Sequence, residues 1–166
     1  MNRYLNITTL IVAAWWSTTL FNWATISDPH QEGLSFELAG TEISQTMVLT
    51  PAIVLLVALI ARYRKTPNQV MIFAALVSLW SAYLAFSLNP AASPAAIDGL
   101  EKLTGIADTI GVSSTTLAPT AYLGLSLAVT VLSMLAAFSK PPVPKRTFSE
   151  SSEEPTDPKS LWDSQK

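Results

Sequence analysis

Few residues of this 166-residue chain are suited to chemistry, and they are scattered. His30 is the only histidine and there are no cysteines. Thiolate metal sites, cysteine nucleophiles and disulfides are therefore excluded, and a two-histidine metal site would have to draw on several chains. Asp28, His30 and Glu32 are close enough to touch one cation weakly, but Asp28-Pro29-His30 also reads as a solvated turn, the simpler interpretation. Serines and threonines are numerous, yet a hydroxyl nucleophile needs a base, and no second histidine supplies one. Glu37, Glu42, Glu101 and Asp108 lie between the apolar runs, with no spacing that defines an acid/base pair. The sequence predicts no enzyme, no cofactor and no metal site.

The elements that would hold such residues are long and apolar. Hydrophobic residues make up 49% of the chain and charged residues only 13%, against about 25% charged in an ordinary soluble domain. A bilayer-spanning helix needs about 20 mostly apolar residues. Four runs qualify, at about 4–23, 43–61, 69–88 and 119–138, and none contains Asp, Glu, Lys, Arg or His. The expected fold class is an all-α membrane protein with four transmembrane helices, in a membrane domain of residues 1–139. Ionisable groups at membrane depth mark pumps, voltage sensors and proton-coupled carriers, and these runs offer none.

The second run carries Pro51 in its interior, which frees the Met47 carbonyl and predicts a kink, with Thr46 and Thr50 near enough to satisfy the freed group. A helix that starts late, near Pro51, is the alternative. Thr66-Pro67-Asn68-Gln69 has the form of a capping box opening the third span. Asn89-Pro90 closes that span, and Ser113 to Thr116 followed by Pro119 opens the fourth. The first run could be a cleaved signal peptide, but Trp15, Trp16, Phe21 and Trp23 occupy the region where cleavage wants small residues.

Charge orients the spans. Arg62, Arg64 and Lys65 follow the second, and Lys140, Lys145 and Arg146 follow the fourth, which places both segments in the cytoplasm. The segments 25–42 and 89–117 hold most of the acids and only Lys102 as a base, so they lie outside. Arg3 then falls inside, and both termini are cytoplasmic. The expected location is a bacterial cytoplasmic membrane, with lipid as one partner. A formal net charge of -2 gives no reason to expect nucleic acid.

In the first outer segment Leu34 to Leu38 alternates apolar and polar residues, the sign of a short strand in a hairpin or flap, ended by Gly40. In the second, Ser93-Pro94 opens a helix with Ile97, Leu100, Leu103, Ile106 and Ile110 on one face. It reads as about four turns, weakened by Gly99 and Gly105, packed on the protein in preference to lipid. Residues 140–166 are rich in Pro, Ser and acids and read as a disordered cytoplasmic tail, interrupted by Leu161, Trp162 and Asp163, a candidate partner contact.

Small residues repeat every four positions at Ala74, Ser78 and Ala82, and again at Gly124 and Ala128, the pattern of close helix packing. Trp15, Trp16, Thr18, Thr19 and Asn22 give the first span a polar and aromatic outer half. Trp23, Phe36 to Glu42 with Gly40, Pro51, Arg62 to Lys65, Leu103 to Gly105, and Trp162-Asp163 together resemble the actinobacterial tryptophan-biosynthesis-associated membrane proteins. The resemblance covers nearly the whole chain, although the tail stops at Lys166 where the family typically continues to Asp-Pro-Thr. It implies a cytoplasmic-membrane protein of the Trp operon with no assigned activity and no site residues to carry over. The expectation is a non-enzymatic accessory membrane protein that binds a protein partner through helix faces or tail. The alternative is a transporter, or transporter subunit, for an aromatic metabolite.

Overall fold

The computed structural model describes residues 3–31, 33–63, 68–107 and 109–139. Glu32, Arg64, Lys65, the Thr66-Pro67 cap, Asp108 and the tail with Leu161, Trp162 and Asp163 lie outside them. The described residues are mostly helical. Three helices are long and apolar enough to cross a membrane by length and composition: α3 (Gln45–Tyr63), α4 (Asn68–Ser87) and α6 (Ala118–Phe138). A fourth, α1 (Arg3–Ser17), belongs to a shorter apolar stretch, Leu5–Leu20.

The expected first helix of 4–23 is thus cut short. Ser17, Thr18 and Thr19 turn their hydroxyls back onto the carbonyls of Ala14, Trp15 and Trp16 at 2.6–2.7 Å. Such side-chain bonds compete with the helix ladder, and the chain tightens into a 3₁₀ turn at Thr18–Leu20. It emerges as strand β1 (Asn22–Ser27), so Trp23 is a strand residue and not the end of a helix.

The all-α expectation is also corrected, because β1 is the centre of a three-stranded antiparallel sheet. β2 (Ser35–Ala39) pairs on one side, with Thr25 opposite Glu37, as the alternation in that segment suggests. The unexpected strand is β3 (Val112–Thr115), with Thr25 opposite Ser114 on the other side. Its Ser-Ser-Thr run reads as helix-cap chemistry, and only a partner strand 85 or more residues away in sequence, shown by the Ser27–Val112 and Asn22–Thr116 bonds, makes it a strand. In the β1–β2 connection the Asp28 carboxylate accepts from the His30 N–H at 2.8 Å, and Gly33 takes φ +98°. Asp28-Pro29-His30 is a turn.

A single turn, α2 (Gly40–Ile43), leads from β2 into α3. Beyond α4, Ser93 caps α5 (Pro94–Thr104) by accepting from the Ala96 N–H at 3.2 Å. Gly105 ends it in the left-handed conformation, φ +72°, donating to Glu101 O at 2.8 Å. The amphipathic helix is therefore 11 residues long, and Ile106 and Ile110 lie beyond it. α5 rests on the protein: Ala96 and Leu100 are buried, and Phe36 lies so close to Gly99 that a Cβ there would overlap its ring.

The helices α1, α3, α4 and α6 form a ring in which each packs on two neighbours: α1 on α3 and α6, α4 on α3 and α6. α1 leads into the sheet, whereas α3 and α6 leave it, so the sheet and α5 cap one end. The main core lies beneath this cap, with Val12, Trp15, Trp23, Ile26, Met47, Leu100, Tyr122 and Val129 buried together. A smaller cluster of Leu5, Ala61, Met71, Ala136 and Ala137 closes the far end.

Candidate functional site

Pro51 lies inside α3 and has no N–H, so the Met47 carbonyl loses its helical donor. The replacement comes mainly from α6. Tyr122 donates its hydroxyl to Met47 O at 3.0 Å, while the expected donor Thr50 stands farther, at 3.5 Å, and Thr46 faces a groove. Around Tyr122 Oη the hydroxyls of Thr50 and Ser81 close a triangle, with oxygen separations of 2.9 Å (Thr50–Ser81), 3.1 Å (Thr50–Tyr122) and 2.5 Å (Ser81–Tyr122). With the Tyr122 proton on Met47 O, the Thr50 and Ser81 protons serve the triangle. Three helices are thereby joined by one buried polar cluster.

Two indoles wall it in. Trp15 of α1 lies 5.3 Å from the Tyr122 ring and Trp23 of β1 lies 5.0 Å from it, edge-on. Trp23 donates its indole N–H to Thr18 O at 2.8 Å. Trp15 is 0% exposed and its Nε1 has no hydrogen-bond partner, a cost of burial that packing must offset. Gly40 sits against Trp23 so closely that a Cβ would come within 2.5 Å of the indole.

The residues singled out in the sequence are only partly brought together. Trp15, Trp23, Thr18 and Thr19 are buried, but Trp16 is exposed and Asn22 sits on the sheet, donating its side chain to Glu37. Trp15, Trp16, Thr19 and Asn22 therefore do not share a surface. On α4, Ala74, Ser78 and Ala82 are buried, and Ser78 reaches Thr130 of α6 at 2.8 Å. On α6 the buried face is Tyr122, Ser126, Val129 and Ser133, whereas Gly124 is exposed with open space where its Cβ would be, and Ala128 is half-buried. Gly124 therefore faces open space and not a neighbouring helix. Tyr122 and Ser81 were the residues sequence reasoning missed. The usable signal was the orphaned Met47 carbonyl, which demands a donor that either neighbouring helix could supply.

Beside the cluster, a groove of about 470 Å³ opens between the start of α3 and the end of α4. Met47 and Trp80 form its apolar wall, and Ser44, Thr46, Ser87 and Asn89 its polar rim. It offers shape and neutral hydrogen-bonding groups, with no titratable side chain to move a proton. Two acids of the cap are engaged locally: Glu42 accepts from the Ala39 N–H at 2.9 Å and Glu37 from Asn22. Among the described residues no three His, Cys, Asp or Glu side chains are grouped to hold a metal. Comparison with family models, characterised proteins and solved structures finds no match.

Proposed function

We propose that this chain is a non-enzymatic accessory protein of the bacterial cytoplasmic membrane. It crosses the bilayer four times with both termini inside and acts by binding a protein partner. In this reading α1 completes its crossing through the 3₁₀ turn, the sheet and α5 form the outer cap, and the sequence resemblance to Trp-operon membrane proteins is the ground for proposing a partner in tryptophan metabolism.

One observation carries it. The capped end of the bundle is filled by the Trp15–Tyr122–Trp23 stack and the Thr50–Ser81–Tyr122 triangle, which joins α3, α4 and α6. Such a plug suits a rigid scaffold better than a conduit. The faces left for association include the outward side of α4, where Phe73, Leu76, Trp80, Tyr83 and Phe86 are exposed and Trp80 and Tyr83 are 5.7 Å apart. Photo-crosslinking residues placed at Trp80 and Tyr83 should capture a protein in intact membranes. Capture of lipid alone from both positions would sink the α4 face as the contact. Pull-down after deletion of residues 161–166 tests the tail separately, and unchanged partner recovery removes it from the proposal.

The groove beside Trp80 favours a second reading, a transport subunit for an aromatic metabolite. Labelled tryptophan uptake and efflux in a deletion strain separates the two, since identical fluxes count against transport.

A further inference from the structure

We propose that the groove of about 470 Å³ between the start of α3 and the end of α4 holds an uncharged, sugar-headed diacyl lipid of the outer leaflet. This rests on the membrane-spanning reading above and goes beyond it by giving the groove a ligand.

The uncommitted hydrogen-bonding groups are the first argument. Ser44 and Thr46 line the groove at the start of α3, and their hydroxyls make no hydrogen bond among the described residues. Past the end of α4, Asn89 Oδ1 accepts from the Ala91 N–H at 3.2 Å, which fixes the amide and leaves its NH₂ without a partner among the described residues. Ser87 is already committed, donating to Leu84 O at 3.2 Å. The lining therefore presents two hydroxyls that both donate and accept, and one amide that donates. It contains no Lys, Arg or His to meet a phosphate and no Asp or Glu to meet an ammonium. A phospholipid headgroup would find its charges unanswered there, whereas the hydroxyls of a sugar match all three groups.

Depth is the second argument. The start of α3 and the end of α4 line the same groove, so Ser44, Thr46 and Asn89 sit near the capped end of the bundle. Trp80 lies about two turns, or about 10 Å, before Ser87, the last residue of α4. In a spanning bundle the groove is thus polar at headgroup level and apolar below. Trp80, 57% exposed, and Leu84 form the apolar part, where an acyl chain continues from a bound head. A soluble sugar would fill the polar end and leave that wall uncovered. Tyr83 does not line the groove, so it remains open to the protein contact proposed for α4.

The experiment is native mass spectrometry of the full chain purified from membranes in detergent. It is titrated with monoglucosyl diacylglycerol, phosphatidylglycerol or phosphatidylethanolamine of identical acyl chains. The wild type should retain the glucolipid about tenfold better than either phospholipid, what one to two neutral hydrogen bonds supply. Ser44→Ala and Thr46→Val together remove two hydroxyls that bond nothing within the described residues, so the fold should persist while most of that preference is lost. Equal retention of the three lipids by the wild type, or an unchanged preference in the double variant, overturns the site. Displacement of the glucolipid by equimolar methyl glucoside would assign the groove to a soluble sugar and overturn the lipid. Displacement by equimolar tryptophan would overturn it too and return the groove to the transport reading. Carbonate washing of the source membranes separates the two levels: a chain that resists washing but lacks preference loses only this site. One that washes off loses the spanning reading as well.

Discussion

Tyr122 illustrates how one missing proton donor is made good across helices. Pro51 withdraws the N–H, Met47 is left with an open carbonyl, and a phenol from α6 fills the gap at 3.0 Å. Tyr122→Phe removes that donor and one corner of the hydroxyl triangle. It should lower stability by about 1–2 kcal/mol, read by reversible unfolding in detergent. Pro51→Ala should recover part of this loss in the Tyr122→Phe background, because residue 51 again offers Met47 an N–H. A double mutant as unstable as Tyr122→Phe alone would show that the carbonyl is not the seat of the effect. Gly40→Ala belongs to the same neighbourhood. Its methyl would meet the Trp23 indole at 2.5 Å and Thr19 O at 3.0 Å, so over-packing should cost about 1–3 kcal/mol, visible as a lower unfolding midpoint and altered indole fluorescence.

At the scale of the element, α5 is held to β2 through Phe36 against Gly99, a contact with no room for a side chain. Gly99→Ala should loosen this cap and leave the bundle intact, so amide exchange should quicken in β2 and α5 while α4 and α6 remain protected. Equal acceleration everywhere would mean that the cap and bundle unfold as one. Much of this element structure was legible in the sequence. The uncharged runs near α3, α4 and α6, the alternation before Gly40 and the Ser93-Pro94 cap all act within a few residues, where side-chain periodicity and backbone chemistry are local. The end of α1 and the existence of β3 were not. Thr18 and Thr19 look as apolar-compatible as any β-branched pair until their hydroxyls turn back, and Val112-Ser-Ser-Thr115 has no strand signal apart from its distant partner β1. The site was less legible still, since Tyr122, Ser81 and Thr50 are 31 to 72 residues apart and only helix packing unites them.

For the whole molecule, the absence of native cysteines gives a clean background for mapping topology. Single cysteines at Gln31 and Lys102, both exposed on the cap, should react with an impermeant maleimide on intact cells. One at the exposed Asn68 should react only after permeabilisation. The reverse pattern would invert the orientation, and labelling at all three from outside would deny that α3 crosses. The sheet has a mechanical consequence as well. β1 follows α1, β2 leads through α2 into α3, and β3 leads into α6, so its ladders stitch together the adjoining ends of three helices. Among the described residues the opposite ends have no such seam and meet through a small cluster of Leu5, Ala61, Met71, Ala136 and Ala137. The bundle is a pair of tweezers riveted at one end: its compliance is concentrated where the rivet is absent. A load applied at the far tips would splay them about the sheet and leave the capped end in register.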